Sequence, residues 1–260
     1  MDVVTRLSDR PLTLARWAAA AAGIAAGAYV ATVTWQWLHY GTPAAPQPDE
    51  ADPLLDGVMP HYEVAERHHI RVAAPAEVVL EAATQADLQG GALVRAIFVA
   101  RERLLGARSA ARVPRGLLDE VQALGWRKLA EVPGRELVMG AVTQPWHAAV
   151  VFRPLAPAAF MAFAEPAFVK IAWTLRADPL DPDTTIFRTE TRVMTTDAEA
   201  RRRFRWYWAR FSPGILIIRR LLLAAVKRDA ERRQTSSVTP VRPPARPPCK
   251  RAGSMDPGSR

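Results

Sequence analysis

The chain has one cysteine, Cys249, no asparagine and very few lysines. A single cysteine excludes an intramolecular disulfide framework, a CxxC redox pair and a zinc site built from several cysteines. Among the 35 basic residues, lysine occurs only at Lys128, Lys170, Lys227 and Lys250. So much arginine beside abundant alanine and proline is typical of a GC-rich, bacterial coding sequence. The formal net charge of +9 therefore does not by itself predict nucleic-acid binding.

Charged residues are also missing from a long segment near the N-terminus. Residues 17–38 read WAAAAAGIAAGAYVATVTWQWL and are almost wholly apolar. At a rise of about 1.5 Å per residue, a helix of this length spans roughly 33 Å, close to the thickness of a bilayer core. Trp17 lies at one end, and Trp35, Trp37 and Tyr40 lie at the other, where aromatic rings settle at membrane interfaces. The pattern predicts one transmembrane helix.

Arginines flank this segment on one side only. Arg6, Arg10 and Arg16 precede it, and no lysine or arginine follows until Arg67. The positive-inside rule then predicts a single-pass membrane protein, with a cytoplasmic N-terminus and the following domain on the exoplasmic side. A cleaved signal peptide is the alternative, since residues 26–28 (AGA) resemble a cleavage site, although the apolar run continues beyond it.

Composition divides the chain around this helix. Residues 1–16 form a cytoplasmic flank, and residues 39–56, rich in proline and acids, are predicted to be a stiff, extended linker. Residues 57–233 are predicted to be one folded domain. Residues 234–260 are rich in proline and arginine without periodicity, which predicts a disordered tail that either contacts acidic lipid headgroups or is simply solvated.

Hydrophobic periodicity within the domain predicts an α+β fold. Strands are predicted at residues 62–72, 126–132, 136–144, 147–155, 168–176 and 184–195, with a turn at 181–183 joining the last two. Helices are predicted at 76–86 and 93–105, and a long one from Asp197 to residue 233, where Pro213 must kink it or split it. The apolar stripe of this last helix, which a one-sided sheet needs as a cover, is Phe204, Trp208, Phe211, Ile215, Ile218, Leu222 and Val226.

Two stretches resemble a known family. They are a strand–proline–helix opening, HHIRVAAPAEVV, and a closing helix after a threonine-rich strand, FRTETRVMTTDAEARRRFRWYW. With the element order, they make residues 62–233 resemble the START-like superfamily of helix-grip proteins, also called the SRPBCC superfamily. The resemblance implies a curved antiparallel sheet wrapped around the C-terminal helix, with a cavity that commonly binds lipids, sterols or polyketides. Some members are cyclases, dehydratases or hydroxylase components, and a membrane anchor departs from the usual soluble member.

The strand at 184–195 predicts what would line such a cavity. Its alternation places small hydroxyls between apolar side chains on one face, a lining that suits a largely apolar ligand. Ordinary core packing explains the same pattern equally well. The predicted ligand-binding residues are Trp146, Trp173, Phe187, Thr189, Thr191, Val193, Trp208 and Phe211.

The opposite face of the same strand is charged. Arg188, Glu190 and Arg192 form either a solvated outer face, which we favour, or a polar patch within a pocket that orients a ligand carboxylate or hydroxyl. His68 and His69 adjoin on a strand, so their side chains point to opposite faces and cannot chelate one metal by adjacency. Because no catalytic motif occurs, the sequence predicts no catalytic residue, no metal and no cofactor.

Basic and aromatic residues alternate at the start of the last helix, RRRFRWYW. This composition can bind nucleic acid, can lie at an anionic membrane surface, or can belong to a packed helix that solvates its arginines. With an anchor already at a membrane, lipid is the more economical partner, and no nucleic-acid partner is expected. The predicted membrane-surface residues are Arg201, Arg202, Arg203 and Arg205.

The sequence therefore predicts a membrane-anchored START-like domain that binds a hydrophobic ligand, a lipid or a polyketide-like molecule, under its C-terminal helix. One alternative is an enzyme of the cyclase or dehydratase type that uses the same cavity. The other is a ligand-free membrane-surface interaction protein with a filled core. A sizeable internal cavity would separate the first two from the third.

Overall fold

The computed structural model describes residues 9–87, 91–106 and 116–238. Its strands are β1 (Val64–Val72), β2 (Arg127–Val132), β3 (Glu136–Thr143), β4 (Phe152–Arg153), β5 (Val169–Asp181) and β6 (Thr184–Thr195). Its helices are α1 (Asp9–Leu38), α2 (Pro53–Val58), α3 (Ala76–Gln85), α4 (Ala92–Leu105), α5 (Leu117–Ala123), α6 (Pro157–Ala162) and α7 (Ala198–Val238), with a 3-10 turn at Pro48–Glu50.

The six strands form one curved antiparallel sheet in the order β1-β6-β5-β3-β2, with β4 paired to β3. A turn at residues 182–183 joins β5 to β6, as the sequence predicts. Helix α7 packs across one face, which confirms the helix-grip α+β architecture. We call this face the inner face and the opposite one the outer face.

Helix α7 is a single helix of 41 residues. Asp197 begins it, since its Oδ1 accepts a hydrogen bond from Ala200 N at 2.7 Å, as predicted for a capping residue. Pro213 lies inside the helix, so of the two predicted outcomes, a kink or a split, the split does not occur. The helix is closely packed on both sides of the proline, since Ser212 is fully buried and a Cβ at Gly214 would come within 2.9 Å of Ile97 of α4.

Two predicted elements between the sheet strands differ from the structure. The predicted strand at 147–155 is reduced to the two residues of β4, and α6 follows it directly. A third short helix, α5, follows the two helices predicted after β1. Proline and alanine around residues 154–159 favour the short helix over a longer strand.

Helix α1 ends at Leu38, where the sequence predicts, and is long and apolar enough to cross a membrane, a property that it shares with a signal sequence. Its residues 16–31 are exposed, whereas its last two turns contact α7. Tyr40, directly after the helix, is only 8% exposed and packs with Phe204 and Trp208 of α7. The segment that follows α1 is therefore part of the domain's core.

Residues 42–59, here called the strap, run along the outer face. The sequence predicts most of this segment as an extended linker, but the structure has the 3-10 turn and α2 there. Leu55 and Met59 are buried against β2 and β3, because the apolar residues after the prolines find partners on the sheet. The predicted tail begins as the last residues of α7, and its part from residue 239 lies outside the described residues.

Candidate ligand-binding site

Two apolar clusters lie along the interface between α7 and the inner face. The first contains Trp173 and Phe187 of the sheet with Leu222 and Val226 of α7. The second contains Val193 of the sheet with Phe204 and Trp208 of α7. Because both clusters join β6 to α7, the residues between them on these two elements form the middle of the interface.

The middle of the interface is polar. Arg219 of α7 donates from NH2 to Thr191 Oγ1 at 2.6 Å and from NH1 to Thr189 Oγ1 at 3.4 Å. Its guanidinium carbon lies 5.8 Å from the ring centre of Trp173. The strand register places His68 of β1 beside Thr189, and Glu66 of β1 beside Thr191. We call these residues the polar middle: Glu66, His68, Thr189, Thr191 and Arg219.

Burial changes the acidity of the polar middle. Desolvation lowers the pKa of Arg219 to about 10, although nearby Glu66 opposes this shift. Desolvation also raises the pKa of the Glu66 carboxyl. It lowers the pKa of His68, and the charges of Arg219 and Arg220 lower it further. Near neutral pH the polar middle therefore holds a cation, a neutral histidine and a carboxyl group that burial drives towards its protonated form.

Helix α1 reaches this region through Gln36. The Gln36 amide accepts a hydrogen bond from Trp208 Nε1 at 3.1 Å and donates to Glu66 Oε1 at 3.5 Å. The residue therefore connects the end of α1 both to the second apolar cluster and to the polar middle.

Among the described residues, six buried side-chain polar atoms have no hydrogen-bond partner; Arg67 Nε, Glu136 Oε1 and Arg188 NH1 belong to the outer face, and three lie on this side of the sheet. The latter three are His68 Nε2, Trp146 Nε1 and Ser212 Oγ. An unsatisfied buried donor or acceptor costs about 1–3 kcal/mol, so native structures keep few of them. Because such atoms occur equally on both faces, their number does not by itself mark the interface as a binding site.

The predicted lining residues are only partly brought together. Phe187, Thr189, Thr191 and Val193 do lie on the face that α7 covers. Trp173 belongs to the first cluster, Trp208 to the second, and Trp146 packs at the border of the second. Phe211 is partly exposed and contacts Tyr207, with ring centres 4.9 Å apart.

Sequence analysis missed Glu66, His68 and Arg219 as site residues. The apolar stripe was predicted to pass through Ile218, whereas Arg219 takes the inward position between Ile215 and Leu222. Helical spacing could have indicated the inward position of Arg219, because it lies four residues after Ile215 and three residues before Leu222, which are both apolar.

The charged side chains of β6 lie on the outer face, but the prediction that they are solvated is wrong. Arg192 is 1% exposed and Glu190 is 5% exposed. Arg192 Nε donates to Glu190 Oε1 at 2.7 Å, and Arg192 NH1 donates to Asp56 Oδ1 at 2.6 Å. Arg188 pairs with Asp49, also from the strap, at 3.0 Å. The strap therefore covers these residues and neutralises them.

The cavity that the structure describes also lies on the outer face, so the sizeable internal cavity expected for a ligand-binding domain is not seen under α7 in the described part of the chain. The outer-face cavity has a volume of about 20 Å³, room for one water molecule, and strap residues Glu50 and Asp52 contribute to its lining. Buried Asp52 also hydrogen-bonds Glu136 of β3. Burial, together with this bond, raises the pKa of Glu136 to about 8.

The arginines predicted at the membrane surface are largely engaged within the chain. Arg202 pairs with Glu199 at 2.5 Å and Arg203 pairs with it at 2.7 Å. Arg205 donates from Nε and NH2 to Trp37 O, at 3.0 and 2.7 Å, which caps the C-terminal end of α1. Arg201 lies 3.5 Å from Glu63. Trp206, which packs on Trp37, remains 57% exposed.

Comparison with known proteins adds distant structural likenesses. No protein-family model matches the chain, and no curated protein matches it. A protein from Mesorhizobium loti is 17% identical over 65% of this chain and 97% of its own, with a TM-score of 0.30. An aromatase/cyclase from Streptomyces is 18% identical over 67% and 97%, with a TM-score of 0.23. Norcoclaurine synthase from Thalictrum flavum is 13% identical over 66% and 86%, with a TM-score of 0.25. At such low identities and TM-scores, these likenesses carry no argument about ligand or chemistry.

Proposed function

We propose that this protein is a membrane-associated binding domain that holds a hydrophobic ligand between α7 and the inner face of the sheet. The ligand class is a lipid or a polyketide-like molecule. It contacts the two apolar clusters, whose large side chains include Trp173, Phe187 and Trp208.

One observation supports this proposal above the others. Burying a polar group in an apolar core is costly, yet here the cationic side chain of Arg219 lies between two apolar clusters of the helix–sheet interface. Ligand binding explains this arrangement better than core packing does, because a ligand with both polar and apolar parts would contact both Arg219 and the apolar clusters.

An acid–base enzyme using the same interface is the second candidate. It is favoured by the shifted groups on neighbouring inward positions of β1, since the pKa of Glu66 is raised and that of His68 is lowered. Such shifts also arise in sites that only bind. Turnover of a bound ligand, lost in Glu66→Gln, would distinguish this candidate from binding alone.

Photo-crosslinking tests the location of the ligand. The full chain in neutral detergent is irradiated with a diazirine-bearing fatty alcohol, and the labelled peptides are identified by mass spectrometry. The proposal predicts label on β6 and on the inward stripe of α7, in addition to the exposed residues 16–31 of α1, which any lipid probe reaches. Label confined to α1 would contradict it and favour the surface-interaction alternative.

A matched pair of threonines controls for general effects on the sheet. Thr191 is buried on the inner face, and Thr174 is buried on the outer face of the neighbouring strand. Thr191→Phe fills the interface and should reduce labelling of β6 and α7. Thr174→Val should leave it unchanged.

A further inference from the structure

We infer that the ligand is an amphipathic anion, and that Arg219 binds its carboxylate or phosphate head. This inference rests on the proposed function and names the chemical class of the ligand. Charge balance, unused hydrogen-bond donors and the position of the arginine between the two apolar clusters support it.

In the part of the chain that the structure describes, the charge of Arg219 has no close counter-ion. Its hydrogen-bond partners, Thr189 and Thr191, are neutral, and among the residues that the structure describes no carboxylate forms an ion pair with it. The acid that acts on it electrostatically is Glu66, which is bonded to Gln36 instead. Arg220 adds a second positive charge close to Glu66 and His68. The polar middle therefore has an excess of positive charge, which favours an anion.

The outer face shows how this chain neutralises buried arginines when they serve structure. Arg192 bonds to both Glu190 and Asp56, and Arg67 pairs with Glu190 at 3.0 Å. Burying a charge without such partners costs several kcal/mol. Arg219 is only partly buried, unlike Arg192, and its hydrogen-bond partners are neutral, so an anion that comes from outside the chain can pair with it.

Most N–H donors of Arg219 make no short hydrogen bond within the described part of the chain. A guanidinium carries five N–H groups, and only the bond to Thr191 is short, since the one to Thr189 is at 3.4 Å. The remaining donors match a carboxylate or phosphate, which arginine binds through two parallel hydrogen bonds. His68 Nε2, buried without a partner on the adjacent strand, supplies a further polar contact for the head.

Arg219 lies between the two apolar clusters along α7, where the apolar part of a bound ligand would contact one of them. The first cluster begins at Leu222, one turn of α7 after the arginine, and the second begins at Ile215, one turn before it. A head bound at Arg219 therefore places an attached chain directly against Trp173 or against Trp208. Part of the Arg219 side chain also remains accessible, so a ligand can reach it.

Three probes with the same apolar chain test the inference. Binding of dodecanoate, dodecyl phosphate and dodecanol to the full chain in neutral detergent is measured by native mass spectrometry. We expect at least one of the two anions to bind about tenfold more tightly than the alcohol, the effect of one charge-assisted contact of about 1.4 kcal/mol. The better of the two anions identifies the head as a carboxylate or a phosphate.

Variants assign the preference to Arg219. Arg219→Gln should bind the anions no more tightly than dodecanol, while its affinity for dodecanol stays unchanged. Arg228→Gln removes an exposed cation from the same helix and should keep the preference. If Arg219→Gln does not fold, Arg219→Lys replaces it, and this variant should show a reduced preference because it loses the planar fork.

The possible results distinguish a failure of the anionic head from a failure of hydrophobic ligand binding itself. Equal binding of all three probes by the wild-type chain would overturn the anionic head and leave hydrophobic ligand binding in place. Binding of none would overturn both. A preference that survives undiminished in Arg219→Gln, or in Arg219→Lys where the first variant does not fold, would remove Arg219 from the site.

Discussion

At the scale of single residues, two arginines on opposite faces of the sheet show two treatments of a buried charge. Arg192 is enclosed by carboxylates from β6 and from the strap, whereas Arg219 is held by threonine hydroxyls. Both occur in stretches where arginine is abundant, so composition alone does not separate them. Because Arg192 has carboxylate partners and Arg219 has neutral ones, we expect their substitution to change the free energy of unfolding in opposite directions.

Removing the charge of Arg219 should stabilise the ligand-free protein. Arg219→Met keeps much of the side-chain volume and removes a guanidinium that lacks a counter-ion, so the free energy of unfolding should rise by about 1 kcal/mol. The thermal midpoint of the detergent-solubilised chain, in the absence of added ligand, measures this. A lower midpoint would mean that Arg219 is a structural residue after all.

Removing the charge of Arg192 should have the reverse effect. Arg192→Met leaves Glu190 and Asp56 without this partner, and the Met59 carbonyl, which accepts from NH1 at 2.9 Å, also loses its donor. A loss of about 2 kcal/mol is expected, less than for a fully buried pair, because Arg67 still pairs with Glu190 and Asp56 is half exposed. The same melting experiment checks it, and a midpoint equal to that of the wild type would contradict the structural role of the pair.

At the scale of elements, the strap is the part whose structure departs furthest from the sequence prediction. Its prolines and acids have the composition of a linker, but its acids meet arginines that the sheet presents on the outer face. Asp52 caps α2 by accepting from Leu55 N at 2.8 Å and also bonds Glu136 below it. A contact between segments so distant in sequence has no signal in local composition.

The bond between Asp52 and Glu136 makes the strap sensitive to alkaline pH. The pKa of Glu136 is about 8 in the folded chain, above its ordinary value of 4.5, because of burial and of Asp52. The folded state therefore holds the proton more tightly, and the stability from this group, complete below about pH 4.5, is lost as the pH rises through about 8. Unfolding midpoints measured between these values should fall more steeply in the wild type than in Glu136→Gln. Parallel pH profiles would contradict the shifted carboxyl.

Elements with strong periodicity were predicted closely from the sequence. The predicted and observed bounds of β6 are the same, and α3 differs by one residue at its end. Alternation and capping are local, so they survive in a single sequence. The site was predicted less well, because Arg219 interrupts an apolar stripe and so was not assigned to the inward face. What Arg219 contacts depends on which strand lies opposite α7, and this is set by tertiary packing.

At the scale of the whole molecule, the folded domain and the end of α1 form one unit. Tyr40 donates its hydroxyl hydrogen to Glu63 Oε2 at 2.8 Å, and Thr195 Oγ1 donates to the same oxygen at 2.7 Å. Arg205 and Gln36 add contacts between α1 and the rest of the domain. If α1 spans a bilayer, these contacts hold the α7–sheet interface next to the membrane surface.

Tyr40 should therefore contribute to the stability of the domain and not only to its attachment. Tyr40→Ala removes a buried aromatic side chain and is expected to cost about 3 kcal/mol. Tyr29→Ala is the matched control on the exposed part of α1, where the hydroxyl bonds Arg210 O and the ring is 48% exposed, so the cost should stay below about 1 kcal/mol. Equal effects of the two substitutions on the thermal midpoint would show that the segment after α1 only attaches the helix to the domain.

Native mass spectrometry of the purified full chain would detect a hydrophobic ligand held between α7 and the sheet. The protein is released from detergent, its mass is compared with the mass of the sequence, and bound molecules are identified after organic extraction. We predict a defined additional mass that belongs to a lipid or a polyketide-like molecule. A chain that carries no additional mass, and that lipid mixtures do not stabilise against heat, would contradict the claim and favour a surface-interaction domain with a filled interior.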